Sequence, residues 1–192
     1  MAAVNQLNIG GSLYDINDKR NLYDLMYPVG SVYISSTNTN PSAQFGGTWT
    51  LINKYFSYLA ETPALTLNTT NVTEITSSSF TRYNDRIDLT IEFKNKVNYG
   101  NTTAYPLFTF DKANWGLSGM YETDAEAQVL NGTTPVAGLI HLKLKDGTIS
   151  TSGNTAQPGG TGRIVRATFY VRVRQNQMLD SACDKFFWKR TA

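Results

Sequence analysis

Apolar and polar residues alternate along much of the chain after residue 51. The alternation is clearest over residues 87–94, 140–145 and 165–174, where an Ile, Leu, Val, Ala or Phe is followed each time by a charged residue, a histidine or a residue with a hydroxyl group. Successive side chains of a β-strand point to opposite faces, so this period of two places one face in a core and the other in water. The pattern predicts several half-buried antiparallel strands.

Clusters of Gly, Asn and Pro separate these strands, which favours two antiparallel sheets packed face to face. Asp146-Gly147 stands between two of the alternating segments and predicts a tight hairpin. We therefore predict that residues 53 to about 175 form an antiparallel β-sandwich of jelly-roll type. The fold class is mainly β.

The first 52 residues follow a different pattern. Alternating apolar residues on both sides of Gly10-Gly11 predict a short hairpin. The segment "KRNLYDLM" that follows has its apolar residues at helical spacing, with Asp18 as a candidate N-cap and Pro28 as its stop. The sequence thus predicts a small N-terminal hairpin and short-helix module over residues 1–52, the sandwich over 53–175, and a C-terminal tail over 176–192.

Composition and charge exclude several classes of protein. With 17 Lys and Arg against 15 Asp and Glu the formal charge is +2, and no basic stripe indicates nucleic-acid binding. The N-terminal residues lack the pattern of a signal peptide, and no apolar run approaches the length that spans a bilayer. Cys183 is the single cysteine, so neither an intrachain disulfide nor a thiolate zinc site is possible.

Few residues are candidates for catalysis. His141 is the single histidine and falls on the polar side of a strand, which predicts a solvated side chain rather than a catalytic base. Glu122, Asp124 and Glu126 share one strand face, where they could bind calcium or flank a sugar. We favour instead a ladder of ion pairs between these carboxylates and the arginines at positions 166, 172 and 174. We predict no enzymatic activity and no cofactor.

The segment over residues 98–121 interleaves aromatic rings with asparagines. Aromatic faces stack on the apolar faces of sugars while amides bond the hydroxyls, so this composition suits a saccharide site. The candidate ligand-binding residues are Tyr99, Tyr105, Trp115 and Tyr121. A packing role is the favoured alternative, in which Trp115 closes the end of the sandwich.

The stretch "YPVGSVYISSTNTNPSAQFGGTW" at residues 27–49 resembles the entry segment of phage tail-fibre and baseplate proteins with a collar-like tip domain. The terminal "FFWKRTA" at 186–192 is similar to the aromatic strand that closes this tip. In that family the two motifs belong to one small module, and they commonly enclose a segment rich in Gly and His that often binds metal. This chain has one histidine and a predicted sandwich there, so we expect no metal site.

The resemblance implies a virion structural protein that forms a homotrimer, docks on other virion proteins through its N-terminal module and faces a host-surface saccharide with its sandwich. It implies assembly of the particle in the host cytoplasm. The charge and hydropathy of the sequence add the expectation of no nucleic-acid partner and no membrane insertion. The tail should return to the N-terminal module, with Trp188 packed against Trp49 or against the strand containing Val32. The assembly residues implied are Tyr33, Phe45, Trp49, Phe187 and Trp188.

Three alternatives remain at this stage. A head fibre or capsid decoration protein would have the same modules but would attach to the head of the particle. A bacterial carbohydrate-binding module would share the sandwich, although it would usually have a signal peptide and a catalytic neighbour. A glycoside hydrolase would depend on the acidic row at residues 122–126.

Overall fold

The computed structural model describes residues 6–15, 19–99, 103–152 and 160–192. These residues fall into two compact units: a small unit, which runs to Tyr55 and also includes Cys183–Ala192, and a large unit, Phe56–Ala182. Asp18, the candidate helix cap, lies outside the described residues. No helix of the described ranges is long and apolar enough to cross a membrane.

The regular elements are mostly short strands. The strands are β1 Gln6–Ile9, β2 Ser12–Asp15, β3 Val32–Ser35, β4 Trp49–Tyr55, β5 Leu59–Glu61, β6 Thr66–Leu67, β7 Val72–Tyr83, β8 Arg86–Asn95, β9 Pro106–Thr109, β10 Thr123–Asn131, β11 Thr134–Lys145, β12 Thr148–Thr151, β13 Ile164–Arg172 and β14 Lys185–Arg190. The α-helices are α1 Lys19–Met26 and α2 Ser42–Phe45, and three short 3₁₀ helices cover Lys112–Trp115, Gln175–Gln177 and Asp180–Ala182.

The small unit contains a hairpin and a three-stranded sheet. Strands β1 and β2 pair antiparallel around Gly10-Gly11, and α1 spans the segment "KRNLYDLM", so both predictions for this region are confirmed. The sheet has the order β3-β14-β4, with β14 antiparallel to both neighbours. The C-terminal strand is therefore the central strand of a sheet whose two edges come from residues 32–55.

The large unit is built on one antiparallel sheet with the strand order β5-β7-β8-β13-β10-β11-β12-β9-β6. Phe93 of β8 and Phe108 of β9 meet edge to face with ring centroids 5.0 Å apart, although four strands separate β8 from β9 in the sheet. The sheet must therefore curl until its two ends face each other. The mainly β, sandwich-like fold is confirmed. Its two layers are the two halves of one continuous hydrogen-bonded sheet.

The core of the large unit lies between these layers. The alternating apolar residues of β8, β11 and β13 are buried there, as their period of two predicted. The Asp146-Gly147 hairpin between β11 and β12 is also present, and both of its residues have positive φ. Such angles suit the tight turn that a two-residue connection needs.

Candidate functional site

An aromatic cluster forms the interior of the small unit. Phe45 at the end of α2 contacts Tyr33 of β3, with centroids 5.0 Å apart, and Trp49 of β4 at 6.3 Å. Tyr23 and Tyr27, in and just after α1, complete the cluster at 5.3 and 4.8 Å from Phe45. Three of the five predicted assembly residues thus pack together, and they do so as a core that fixes α1 and α2 on the sheet.

The other two predicted assembly residues lie on opposite faces of β14. Trp188 is buried and stands between Tyr33 of β3 and Leu51 of β4 in the register of the sheet. Phe187 is half-buried and pairs with Ile34 and Asn53. Because neighbouring strand residues point to opposite faces, Trp188 shares a face with the core and Phe187 belongs to the outer face.

Arg190 holds the end of α1 against β14. Its side chain is 7% exposed and donates to the backbone carbonyls of Tyr27, at 2.5 Å, and Tyr23, at 3.4 Å, and to the carboxylate of Asp24. A helix C-terminus exposes carbonyls without intrahelical partners, and a cation there is stabilising. Arg190 was not among the residues predicted from the sequence, although it alternates with Phe186 and Trp188 on the inward face of the same strand.

The second glycine of the "FGGTW" motif is required by the close approach of the C-terminal residues. Gly47 has φ +70°, and a Cβ there would lie 2.6 Å from the carbonyl oxygen of Ala192 and from Nε of Arg190. The same carbonyl accepts a hydrogen bond from the amide of Thr48 at 2.7 Å. Any larger residue at position 47 would clash with the chain end and adopt a strained backbone.

The outer face of the three-stranded sheet is apolar and exposed. Val32 and Ile34 of β3 are 49% and 54% exposed, and Ile34 lies opposite Phe187. Ile52, at the bulge in β4 opposite Phe187 and Trp188, is 45% exposed. We call these four residues the apolar face of the small unit. Clustered aliphatic exposure of this kind marks an interaction surface more often than an ordinary solvated one.

Comparison with protein families identifies the class of this chain. Residues 22–137, more than half of the sequence, match the model described as baseplate structural protein Gp10, C-terminal domain. The chain belongs to this family. It is thus a phage baseplate structural protein and a component of the virion. No curated protein and no solved structure gave a significant match.

The segment that matches the Gp10 family differs in extent from the resemblance seen in the sequence. It includes the motif at residues 27–49 and continues through β4 into the large unit as far as β11. The second motif, at residues 186–192, lies outside it. The C-terminal part of the resemblance therefore stays a prediction, although β14 occupies the centre of the sheet in the structure.

The four aromatic residues predicted to bind a saccharide do not form one exposed surface. Trp115 is 1% exposed and stacks on Phe110, with centroids 3.8 Å apart. Tyr99 is also buried, and burial raises the pKa of its hydroxyl. Tyr105 is half-buried beside Tyr99, while Tyr121 is exposed beside Arg174. Saccharide binding at these residues stays a prediction, and solvent reaches mainly Tyr121.

The acidic row at residues 122–126 has partners other than those expected. Its carboxylates face β11: Glu122 pairs with Lys143 and Lys145, and Glu126 lies 3.9 Å from His141. The predicted ladder against the arginines was wrong because β10 pairs along most of its length with β11 and meets β13 only over Gln128–Leu130. Lys143 holds the pKa of Glu122 below its usual value.

Glu92 joins two central strands of the large unit and makes the fold sensitive to acid. Arg166 donates from Nε to Glu92 at 2.6 Å, and the Thr76 hydroxyl donates to the other carboxylate oxygen at 2.9 Å. These hydrogen bonds lower the pKa of Glu92. A carboxylate whose pKa is lower in the folded chain stabilises the fold above its unfolded pKa, about 4.3 for Glu, and loses that contribution as the pH falls through the folded pKa.

We therefore expect Glu92→Gln to lower the free energy of unfolding by about 0.2–1 kcal/mol at pH 7, the usual range for a cross-strand ion pair. The difference from wild type should be smaller at pH 3, which lies below the unfolded pKa of about 4.3, because the contribution of the ionised carboxylate is lost as the pH falls through the folded pKa. Urea unfolding at pH 7 and pH 3 measures this difference in the free energy of unfolding. Glu74→Gln, at an exposed carboxylate 3.9 Å from Lys94, serves as control. An equal difference at both pH values would contradict the assignment.

Proposed function

We propose that this baseplate protein assembles as a homotrimer through its small unit, docks there on other virion proteins, and presents its large unit to a saccharide on the host surface. The trimer is implied by the resemblance of the "YPVGSVYIS" and "FGGTW" motifs to the collar-like tip proteins. The observation that carries the assembly part is the apolar face of the small unit. Assembly of the particle is expected in the host cytoplasm.

The apolar face has the chemistry of a subunit contact. Fully burying a Val, Ile or Phe side chain contributes about 1.5–3 kcal/mol, so three or four such side chains per copy supply a substantial driving force. In the described residues, β3 and β4 are also the edges of their sheet, and natural proteins usually cover or charge a hydrophobic edge. Contact between copies would cover both features at once.

We further propose that the protein has no catalytic role. His141 lies on the polar face of β11, where the neighbouring carboxylate of Glu126 is itself exposed. A hydrolase of the serine type needs a histidine that is oriented by a carboxylate and in reach of a nucleophile. In the acidic row Glu122 pairs with Lys143 and Lys145 of β11 and Glu126 lies near His141, which fits a stabilising role on the sheet.

Light scattering tests the assembly proposal. The purified protein should give a mass about three times the 21.3 kDa of one chain. Ile34→Asp should shift the mass toward that of the monomer, because a buried contact does not accept an unpaired charge. Leu139→Asp changes another exposed aliphatic residue, on β11 of the large unit, and should leave the mass unchanged. A monodisperse wild-type monomer would refute the trimer.

A further inference from the structure

The outward face of β7, β8 and β13 carries a group of exposed tyrosines. Along β8 the inward residues are fully buried while Arg86, Asp88 and Thr90 point outward, and Tyr170 of β13 and Tyr83 of β7 share this outward side. Tyr83 is 58% exposed and Tyr170 is 66% exposed. Two large aromatic side chains on this sheet therefore expose more than half of their surface to solvent.

The strand register places these rings close to each other. Tyr83 lies beside Arg86 of β8, and Tyr170 lies beside Asp88, two residues further along the same strand. Strands are about 4.8 Å apart, so the two tyrosines flank β8 diagonally at a separation on the order of one or two sugar rings. Arg86 also lies over the Tyr170 ring, 5.8 Å from its centroid. We call Tyr83, Arg86, Asp88 and Tyr170 the tyrosine platform.

Charges on and around the platform are matched. Arg86 makes two hydrogen bonds to Asp88, at 2.9 and 3.0 Å, and Arg172 contacts Asp85 at 3.0 Å. Arg166 is likewise paired with Glu92 on the same face. Arg86, Arg166 and Arg172 each have a carboxylate partner, so the platform offers an anionic polymer no strong attraction. Its electrostatic character suits an uncharged ligand.

We propose that the tyrosine platform binds an uncharged stretch of saccharide. Tyrosine rings present flat apolar faces that match the C–H face of a pyranose, and their hydroxyls together with the Arg86–Asp88 pair can exchange hydrogen bonds with sugar hydroxyls. The outward residues nearby include Thr81, Thr90 and Thr168, which add hydroxyls, and Arg172, which lies opposite Arg86 and is paired with Asp85. The proposal rests on the proposed role in host attachment and gives it a surface and a ligand class.

A protein partner fits this surface less well. The buried centre of a protein–protein interface is typically apolar and depleted in charge. The platform has its rings set around an ion pair, and its strand neighbours are threonines rather than aliphatic residues. This contrasts with the apolar face of the small unit, which has aliphatic side chains and suits contact between protein copies.

Saturation-transfer NMR on the full chain tests the proposal. The probes are linear tetrasaccharides of glucose, galactose, mannose and N-acetylglucosamine, with poly(glycerol phosphate) as the anionic comparison. We expect at least one neutral tetrasaccharide to bind. Tyr170→Ala should weaken binding by about five- to tenfold, the value of one aromatic contact, and Tyr170→Phe should largely retain it. Because Tyr170 is exposed, neither change should move the melting temperature by more than about 2 °C.

Leu139→Ala is the control, since Leu139 is an exposed large side chain on β11, outside the platform and outside the residues predicted to bind a saccharide. Absence of binding to all neutral probes, stronger binding of poly(glycerol phosphate), or loss of binding in Leu139→Ala alone would each overturn the proposal. Adsorption of the labelled protein to host cells distinguishes failure of the platform proposal from failure of the proposed role in host attachment. Adsorption that is unchanged in Tyr170→Ala would refute the platform and leave host attachment standing, whereas absence of adsorption by the wild type would refute attachment itself.

Discussion

Replacing Arg190 by alanine is expected to destabilise the small unit by about 3 kcal/mol. The change removes a buried guanidinium that bonds the carbonyls of Tyr23 and Tyr27 and the carboxylate of Asp24. Hydrogen bonds to charged groups contribute about 1.5–3 kcal/mol each, and buried carbonyls left without partners add a further cost. Arg190→Lys should be less destabilising than Arg190→Ala because it keeps the positive charge. It should still cost stability, since lysine lacks the planar set of donors of the guanidinium.

Hydrogen exchange measures this effect by region. Amides of β3 and β14 should exchange on the order of 100-fold faster in Arg190→Ala, while amides of β8 and β13 in the large unit should keep their protection. Lys189→Ala, at the exposed neighbouring position, is the control and should change little. Equal exchange in both variants would mean that Arg190 does not fasten α1 to the sheet.

Replacing Trp115 by alanine is expected to lower the free energy of unfolding of the large unit by about 3–5 kcal/mol. That is the usual cost of removing a fully buried tryptophan, because the lost burial is accompanied by a cavity. Trp115 stacks on Phe110 and lies 4.4 Å from Phe80, and its carbonyl accepts a hydrogen bond from the buried Arg82. The cavity would therefore open at the centre of the aromatic core.

Urea unfolding of Trp115→Ala, with Tyr121→Ala as control, distinguishes packing from ligand binding. Tyr121→Ala should lower the free energy of unfolding by less than about 1 kcal/mol, because Tyr121 is exposed. If Trp115→Ala kept its stability and lost adsorption to cells, the saccharide role predicted for this residue would be supported and the packing role refuted. A large loss of stability would identify Trp115 as a core residue.

The strands that were predicted correctly are those in which one face is buried and the other is solvated. In β8 and β13 every second residue is buried, so a period of two in the sequence reports the fold directly. The hairpin at Gly10-Gly11 and the helix "KRNLYDLM" were found for the same reason, since turn glycines and helical spacing are local signals. The partners of each strand are not local signals.

The errors and omissions in the prediction arise because the sequence pattern does not show which strands pair with each other. The carboxylates at residues 122–126 were assigned to arginines of β13, but the strand order puts lysines of β11 beside them. Arg82 and Arg190 were missed because an arginine in an alternating strand usually marks the solvated face. Both are buried here, Arg82 against the ring of Phe56 at 3.9 Å and Arg190 against α1. Carbonyl groups supplied by distant parts of the chain stabilise them.

The central position of β14 in the three-stranded sheet sets the order in which the protein can fold during synthesis. Strand β14 begins at residue 185, whereas β4 ends at residue 55, so β3 and β4 emerge from the ribosome long before the strand that joins them. The intervening residues can form their own sheet first, since domains generally fold as units as they are made. A chain released before β14 would hold every strand of the large unit and would lack the central strand of the small unit's sheet.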